Sequence, residues 1–405
     1  MRVCVVGSGG REHALASVLG RTAEVVVSPG NPGIPGSVGT PAEEVEADLF
    51  VVGPEDRLVD GLADRLRAAG RLVLGPGADG ARLEGSKAFL KEVLVEAGVP
   101  TARYGSFSEV EPALAMLRSL PGPWVVKTDG LAAGKGVLVT TSLIDAEDDV
   151  RAKLAGEAFG DAGRTVVVEE FLAGPELSVF ALCDGERAEA IGCARDHKRV
   201  GDGDTGPNTG GMGAFSPVPG VDDALVERVM DESVRPTLAA LGARGIDYRG
   251  FLYCGLVLTD GGPKVLEHNV RFGDPEAQVV LPRVEGDLAA MLAEAAVGEL
   301  ASRPVFSPDA CVTVVCASEG YPLSPRVGDA IEGLDEARGL PGVDVFCAGV
   351  GEGDGGRLVT AGGRVLAVTG RGPTLADARA AAYAAVERVR WPGMHHRTDI
   401  AAGML

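Results

Sequence analysis

The chain of 405 residues exceeds the ~250–300 that one hydrophobic core usually serves, so two to four domains are expected. Its 58 acidic against 38 basic residues leave a net charge of −20, which argues against sequence-independent nucleic-acid binding, because that requires clustered cations; an anionic small substrate must find a local positive pocket. The seven cysteines are scattered without a C-x-x-C pair, no charged-then-apolar leader opens the chain, and no apolar run reaches ~18 residues, so the expectation is a cytoplasmic protein with buried thiols and no membrane contact.

Met1-Arg-Val-Cys-Val-Val predicts a short strand, and Gly7-Ser-Gly-Gly-Arg-Glu-His turns into a helix running to about Leu19. Backbone amides at such a helix start attract anions, and glycines let a ligand approach the main chain. Glu12 stands where the third glycine of G-x-G-x-x-G would fall, which weighs against a nicotinamide-dependent oxidoreductase. Further strands are expected at Glu24-Val-Val-Val-Ser, Asp48-Leu-Phe-Val-Val and Arg71-Leu-Val-Leu, ending in Pro29-Gly-Asn-Pro-Gly, Gly53-Pro-Glu and Gly75-Pro. Four strands finishing in Gly/Pro loops describe an open parallel sheet over residues 1–84 whose carboxyl edge is a ligand crevice, although each loop taken singly is only a tight turn.

Ser86 is a natural N-cap for a helix with apolar positions at 89, 90, 93 and 94. Lys87 in its first turn opposes the helix dipole and so hints at an anionic ligand, although an exposed lysine is the commoner reading. The strand Pro123-Trp-Val-Val-Lys127, the loop Thr-Asp-Gly-Leu-Ala-Ala-Gly134-Lys135-Gly and the strand from Val137 make a hairpin of small residues able to close over phosphates; it is not a Walker A loop, since G-K-[ST] is absent. Thr165 to Phe180 reads strand, bend, strand. Its extended stretch can present main-chain groups to an adenine edge and Glu176 to a ribose, while Glu169 and Glu170 taken alone are equally rim charges. The run from Gly201 to Ala214 has almost no core-forming residues and is expected to be a long substrate-embracing loop without regular structure. A hairpin then leads to Val265-Leu-Glu-His-Asn-Val-Arg-Phe-Gly-Asp-Pro-Glu276, where alternation places Glu267, Asn269 and Arg271 on one face. A carboxylate and an amide oxygen two residues apart are hard ligands suited to Mg²⁺, and Arg271 to a phosphate or carboxylate oxygen. A lone E-x-N would be a solvated face; the upstream lysine motifs favour the metal. From 306 to 405, strands at Ala310–Ala317 and Gly362–Gly370, and a helix capped by Thr374 and running to Val389, predict a small β-rich domain with one helix packed on it. His395 and His396 are expected on a frayed, exposed end.

Taken together, G-S-G-G-R-E-H-A (7–14), P-G-N-P-G (29–33), G-P-E (53–55), E-G-S-K-A-F (84–89), K-T-D-G-L-A-A-G-K-G-V (127–137), V-E-E-F-L-A-G-P-E-L-S (168–178), D-H-K-R-V-G-D-G-D-T-G-P-N-T-G-G-M-G-A (196–214), G-F-L-Y-C-G-L (250–256) and N-V-R-F-G-D-P-E (269–276) resemble the glycinamide ribonucleotide synthetases, also called phosphoribosylamine-glycine ligases, of the ATP-grasp superfamily. The resemblance covers nearly the whole chain. It implies an α/β multidomain fold: an N-terminal open parallel sheet domain (1–84), an ATP-grasp core (85–305) with a mobile lid at about 105–172, and a β-rich C-terminal domain (306–405). It also implies an ATP-dependent ligase of purine biosynthesis joining glycine to 5-phosphoribosylamine through glycyl phosphate with Mg²⁺ or Mn²⁺; a monomer is expected, while the sequence itself leaves oligomeric state open.

Carried over position by position, the resemblance implies Lys87, Lys127, Gly134 and Lys135 at the ATP phosphates, Glu169, Glu170, Phe171 and Leu172 around adenine, and Glu176 at the ribose. Glu267 and Asn269 would hold the metal, and Arg271, Lys127 and Asp196 form the expected catalytic set. Gly9, Gly10, Arg11, Glu12, His13, Gly30, Asn31 and Glu55 would cradle phosphoribosylamine from one side. Asp196, Lys198, Asn208, Thr209, Gly210, Gly211, Met212, Gly213, Arg271, Gly273 and Asp274 would close from the other. Three departures stand out: about one helix is missing between Gly33 and Asp48, Arg195 replaces a glutamine, and His268 replaces an aromatic on the core side of the metal strand, where a satisfied core histidine is expected. Competing readings are an ATP-grasp carboxylate-amine ligase with another acceptor, separable by a substrate screen reading ADP release; a non-catalytic nucleotide-binding module, which would need a broken phosphate or metal site; and a nicotinamide oxidoreductase, which would need no ATP.

Overall fold

The computed structural model of the chain describes residues 1–130, 136–156 and 164–404. The expected N-terminal strands form at Arg2–Gly7, Glu24–Pro29, Leu49–Val52 and Val73–Leu74, all parallel, with the Glu24–Pro29 strand at one edge. Val3, Val5, Leu49, Phe50 and Val51 are fully buried, as a parallel sheet covered on both faces demands. The fourth strand begins two residues later than expected, and Arg71 instead pairs with Glu46. The missing helix leaves no gap. Residues 36–38 return to the edge strand, where the Val27 amide donates to Gly36 O (2.9 Å) and the Val38 amide to Val27 O (2.9 Å). Ile34, Ala42 and Val45 are buried in the main core.

Among the described residues the largest sheet has eight antiparallel strands, in the order Gly262–Asn269, Arg249–Thr259, Glu176–Asp184, Ala188–Asp196, Gly213–Ser216, Ala310–Ala317, Arg364–Gly372 and Val343–Cys347. The C-terminal strands therefore continue the central sheet through the pairing of Gly213–Ser216 with Ala310–Ala317. The C-terminal helix, capped by Thr374, ends at Val386 and not Val389, because Arg390 leaves it to pair with Glu332. A separate four-stranded sheet holds Tyr104–Phe107, Val166–Glu170, Trp124–Thr128 and Val137–Thr140, in that spatial order. With the helices Val110–Ser119 and Leu143–Leu154 it buries its own apolar cluster around Leu114, Leu117, Val126, Val150 and Val168, apart from the main core. No helix among the described residues is long and apolar enough to cross a membrane.

Two expectations are corrected here. The Gly201–Ala214 run is not structureless: Arg199–Gly201 and Thr205–Asn208 form an antiparallel hairpin. The 395–401 segment is not frayed either. His395 pairs with Ala317 and places Nε2 2.8 Å from Val200 O, while Arg397, 1% exposed, donates to Asp204 and Asp399 (2.7 Å each) and to Arg199 O (3.1 Å). The hairpin gains from remote acids and cations the order that its glycines alone would not give. Arg397→Met leaves two aspartates without their shared cation, a loss of about 3 kcal/mol, at the low end for a buried pair because Asp204 is largely solvated. The check is the urea midpoint of the variant against the parent.

Candidate active site

The carboxyl edge of the N-terminal sheet, the four-stranded sheet and the first strands of the central sheet enclose a cleft of about 520 Å³, within the range of small-molecule sites. Into it the fold brings Arg11, Glu55, Lys87, Lys127, Glu169, Glu170, Phe171, Leu172, Glu176, Asp196, Lys198, Asn208, Thr209, Gly210, Glu267, Asn269, Arg271 and Asp274 from segments far apart in sequence.

The hairpin register pairs Tyr253 with Asn269 and Gly255 with Glu267. Opposite Glu267 the partner is a glycine, and a Cβ there would lie 3.1 Å from Glu267 Cγ, so the carboxylate has room because Gly255 lacks a side chain. Among the described residues neither Glu267 nor Asn269 spends its side-chain oxygens on a hydrogen bond or ion pair. No group of three or more His, Cys, Asp or Glu side chains among the described residues is arranged to hold a metal. This donor set fits a hard cation that takes its remaining oxygens from a phosphate and water. His268 faces the core, with Nδ1 3.2 Å from Tyr253 O and Nε2 3.3 Å from Thr237 Oγ1, and burial pushes its ring down to about 4. It is the satisfied core histidine expected.

Lys87 Nζ donates to Gly130 O (3.0 Å), and burial lowers its pKa against the pull of Glu267. Lys127 Nζ lies 3.1 Å from Glu169 Oε2, and the other Glu169 oxygen lies 3.2 Å from Lys91 Nζ. The Glu169 carboxylate is thus a counter-ion for two lysines; it lines the cleft together with Glu170, Phe171 and Leu172. Glu176 is held by Lys198 (3.0 Å), which also takes Asp196 (2.8 Å), and Arg195 Nε donates to Glu176 O (3.0 Å). Burial would lower the Lys198 pKa, but these acids together raise it well above the usual range, so it is a fixed cation.

On the opposite wall Arg271, which lies past the end of the strand, bridges two acids, donating from Nη2 to Glu84 Oε1 (2.7 Å) and from Nε to Glu55 Oε2 (3.0 Å). Burial pushes Glu84 up to about 7 despite Arg271. Glu55 feels burial too, yet Arg271 and Arg11 outweigh it and hold the carboxyl at about 2. Arg11 Nε donates to Glu12 Oε1 (2.6 Å), and its Nη1 lies 3.6 Å from Glu55.

Several sequence-predicted residues do not face this cleft. Glu12 accepts from the Gly9 amide (2.7 Å) and from Arg11, so it caps the helix and aims the arginine. Gly10 packs against Gln278, where a Cβ would meet Nε2 at 2.6 Å. Asn31 spends its amide on Ser8 O (2.8 Å), Ala348 O (3.0 Å) and the Gly33 amide (2.8 Å), and Gly30, with φ +67°, turns the chain beside it. Met212 is fully buried, Gly213 pairs with Val314, and Gly211 and Gly273 shape the backbone against Pro275 and Glu276. Gly134 and Lys135 lie outside the described residues.

His13 points the other way, its Nδ1 accepting from the Cys347 amide (2.8 Å) with the ring edge on Phe346. Burial, aided by Arg338, pushes its pKa down to about 4. Below pH 6.5 the unfolded chain takes up a proton that the fold refuses, so stability falls as pH drops from 6.5 toward 4, by on the order of 2–3 kcal/mol. A His13→Asn variant keeps an acceptor without the titration. Between pH 7 and 4.5 the urea midpoint of the parent should fall further than that of the variant.

Four cleft residues escape local sequence reasoning: Glu84, Lys91, Glu276 and Arg364. Lys91 follows Lys87 by four on one helix, a spacing that signals a shared face. Glu84 stands inside the E-G-S-K run and Glu276 closes the D-P-E run. Arg364 comes from the C-terminal region and donates to Gly210 O (2.7 Å) and Asp274 O (2.6 Å), which nothing near it in sequence announces.

The chain matches the families described as phosphoribosylglycinamide synthetase N domain over residues 1–84, ATP-grasp (A) domain over 85–277 and C domain over 311–403. It is 46% identical to a phosphoribosylamine-glycine ligase of Mesorhizobium japonicum, covering 99% of this chain and 97% of that one. To the enzyme of that name in Escherichia coli O6:H1 it is 47% identical, covering 99% and 98%. The crystal structure of a phosphoribosylamine-glycine ligase from Thermotoga maritima superposes with a TM-score of 0.90 at 36% identity, covering 99% of this chain and all of that one. A biotin carboxylase domain from Hydrogenobacter thermophilus, solved with magnesium ADP and bicarbonate, shares the fold at a TM-score of 0.73 and 18% identity, over 98% and 91%.

Proposed function

Because the chain belongs to the phosphoribosylglycinamide synthetase family, we propose that its cleft ligates glycine to 5-phosphoribosylamine at the expense of ATP, giving glycinamide ribonucleotide, ADP and phosphate. A glycine carboxylate is a poor electrophile, since its leaving group would be oxide. Transfer of the ATP γ-phosphoryl to a carboxylate oxygen forms glycyl phosphate and releases ADP. The phosphoribosylamine nitrogen then attacks the acyl carbon, phosphate leaves with the C–O electron pair, and the nitrogen loses a proton. Such chemistry needs positioning and charge neutralisation more than a protein nucleophile.

In this reading Lys87, Lys127 and Lys135 meet the ATP phosphates. The Glu170–Leu172 main chain flanks adenine, and Glu176, steered by Lys198, meets the ribose. Glu267 and Asn269 would hold Mg²⁺, or Mn²⁺, whose chemistry is to neutralise phosphate charge. Arg271 steadies the transferring phosphoryl or the glycine carboxylate. Arg11, Glu55 and Asp274 with the 208–210 loop enclose phosphoribosylamine, and Asp196 orients Lys198. The four-stranded unit, about 105–172, serves as a lid that excludes water from the acyl phosphate; its separate apolar cluster supports motion as a body. The N-terminal sheet (1–84), ATP-grasp core (85–305) and C-terminal region (306–405) act as one monomer in the cytoplasm.

The observation that carries the reading is the convergence of Lys87, Lys127, Glu267, Asn269 and Arg271 on one cleft. Its test mixes ATP, Mg²⁺, glycine and freshly generated phosphoribosylamine and looks for the amide product by mass. ADP release with another amine and none with phosphoribosylamine would redirect the acceptor and overturn the assignment.

A further inference from the structure

Lys91 is a long cation in a place where none is ordinarily tolerated. It sits on the helix Lys87–Glu96 with 1% of its surface exposed, and Glu169 is equally enclosed. Its Nζ donates to Thr101 Oγ1 (2.7 Å), which in turn donates to Val265 O (2.7 Å), and lies 3.2 Å from Glu169 Oε1. Lys127 stands 3.1 Å from the other oxygen of the same carboxylate and is 9% exposed on the cleft side. Two cations thus share one buried anion. The trio carries two cations against one anion, and although all three line the cleft, Lys127 is the most exposed to it, at 9% against 1% for each of the others.

A closed Lys127–Glu169 pair would be neutral and would have little attraction left for a phosphate, because buried opposite charges satisfy one another first. A second ammonium on Glu169 changes that balance. We infer that Lys91 is a positioning residue for ATP: by occupying Glu169 it frees the charge of Lys127 for the anionic cosubstrate. Lys91 itself is 1% exposed at the back of the cleft wall, with its Nζ spent on Thr101 and Glu169 beside the Tyr104 ring, so it acts through Glu169. This rests on the ATP-dependent reading above and adds a residue that acts through another.

The prediction is specific to charge and not to packing. Lys91→Met should raise the Kd of MgATP about tenfold or more, read by calorimetry, with KM for glycine shifted far less. Adding Glu169→Gln to Lys91→Met removes the acid that captures Lys127, and should bring MgATP affinity back to within about threefold of the parent. A double variant as weak as the single one would overturn the inference, since a packing defect is not repaired by neutralising a neighbour. Unchanged affinity in Lys91→Met would overturn it equally. Should Lys91→Met fail to fold, Glu169→Gln alone decides: parent-like or tighter MgATP binding supports the inference, and a tenfold loss ends it. Calorimetry with MgATP does not depend on the acceptor, so absent product with phosphoribosylamine would defeat the ligase assignment while leaving this result readable.

Discussion

Glu267→Gln should lower product formation from ATP, glycine and phosphoribosylamine by about a hundredfold to a thousandfold, equivalent to roughly 3–4 kcal/mol of transition-state stabilisation, while the fold stays intact. The carboxylate faces the cleft without an ion pair among the described residues, and the strand face opposite is the bare Gly255. Its charge acts on its neighbours Lys87, Lys198 and His268 through space, without a direct ion pair among the described residues. Glutamine keeps the shape and one oxygen, but not the negative charge that would draw a divalent cation against the triphosphate. The thermal midpoint should therefore move by no more than about 2 °C on the scale of a large domain. Turnover within threefold of the parent would remove Glu267 and Asn269 as the metal pair; a collapse of the midpoint would instead make Glu267 a structural group.

The parts of this molecule legible in sequence are those whose cause is local. Val3 to Val6 and Leu49 to Val52 are continuous apolar runs ending in Gly/Pro loops, so the parallel sheet and its carboxyl edge follow from composition and punctuation. Lys87 and Lys127 stand out because a cation in a first helical turn, or at a strand end before small residues, has no local purpose. His268 could be assigned to the core from alternation alone. What was not legible depends on remote partners. Asn31 sits in a glycine-rich turn and His13 in the first turn of the helix that follows another, yet the Asn31 amide nitrogen reaches Ala348 O and the His13 ring accepts from the Cys347 amide, as far as 317 positions downstream. The 199–208 hairpin looks structureless until Arg397 and Asp399 arrive from the end of the chain. Glu169 reads as a rim charge because neither lysine that claims it is a sequence neighbour. In each case the deciding atom lies across the fold, where no periodicity reaches.

The second large effect belongs to Arg271, and its size should depend on pH. Its guanidinium forks between Glu84 and Glu55 and adds a bond to Phe272 O (3.2 Å). A lysine supplies one point charge and cannot span both carboxylates, so Arg271→Lys should cost at least about a hundredfold in kcat/KM. Arg271→Met goes further and leaves two enclosed acids facing each other, with a stability loss of about 3 kcal/mol near neutrality, where removing one partner of a buried pair is most costly. The sign follows from Glu55. In the parent its pKa is held at about 2, so its contribution is present above the unfolded value of ~4.3 and is lost as pH falls toward 2. The variant keeps only the smaller share that Arg11 supplies. Glu84, already pushed up to about 7 by burial, rises further without its arginine and accepts a proton, which relieves the repulsion. The gap in urea midpoint between parent and Arg271→Met should therefore be widest at pH 7.5 and shrink by more than half at pH 3.5. An equal gap at both values would mean that Arg271 stabilises by packing alone, and the electrostatic clamp between the N-terminal sheet and the Glu267 strand would have to be abandoned.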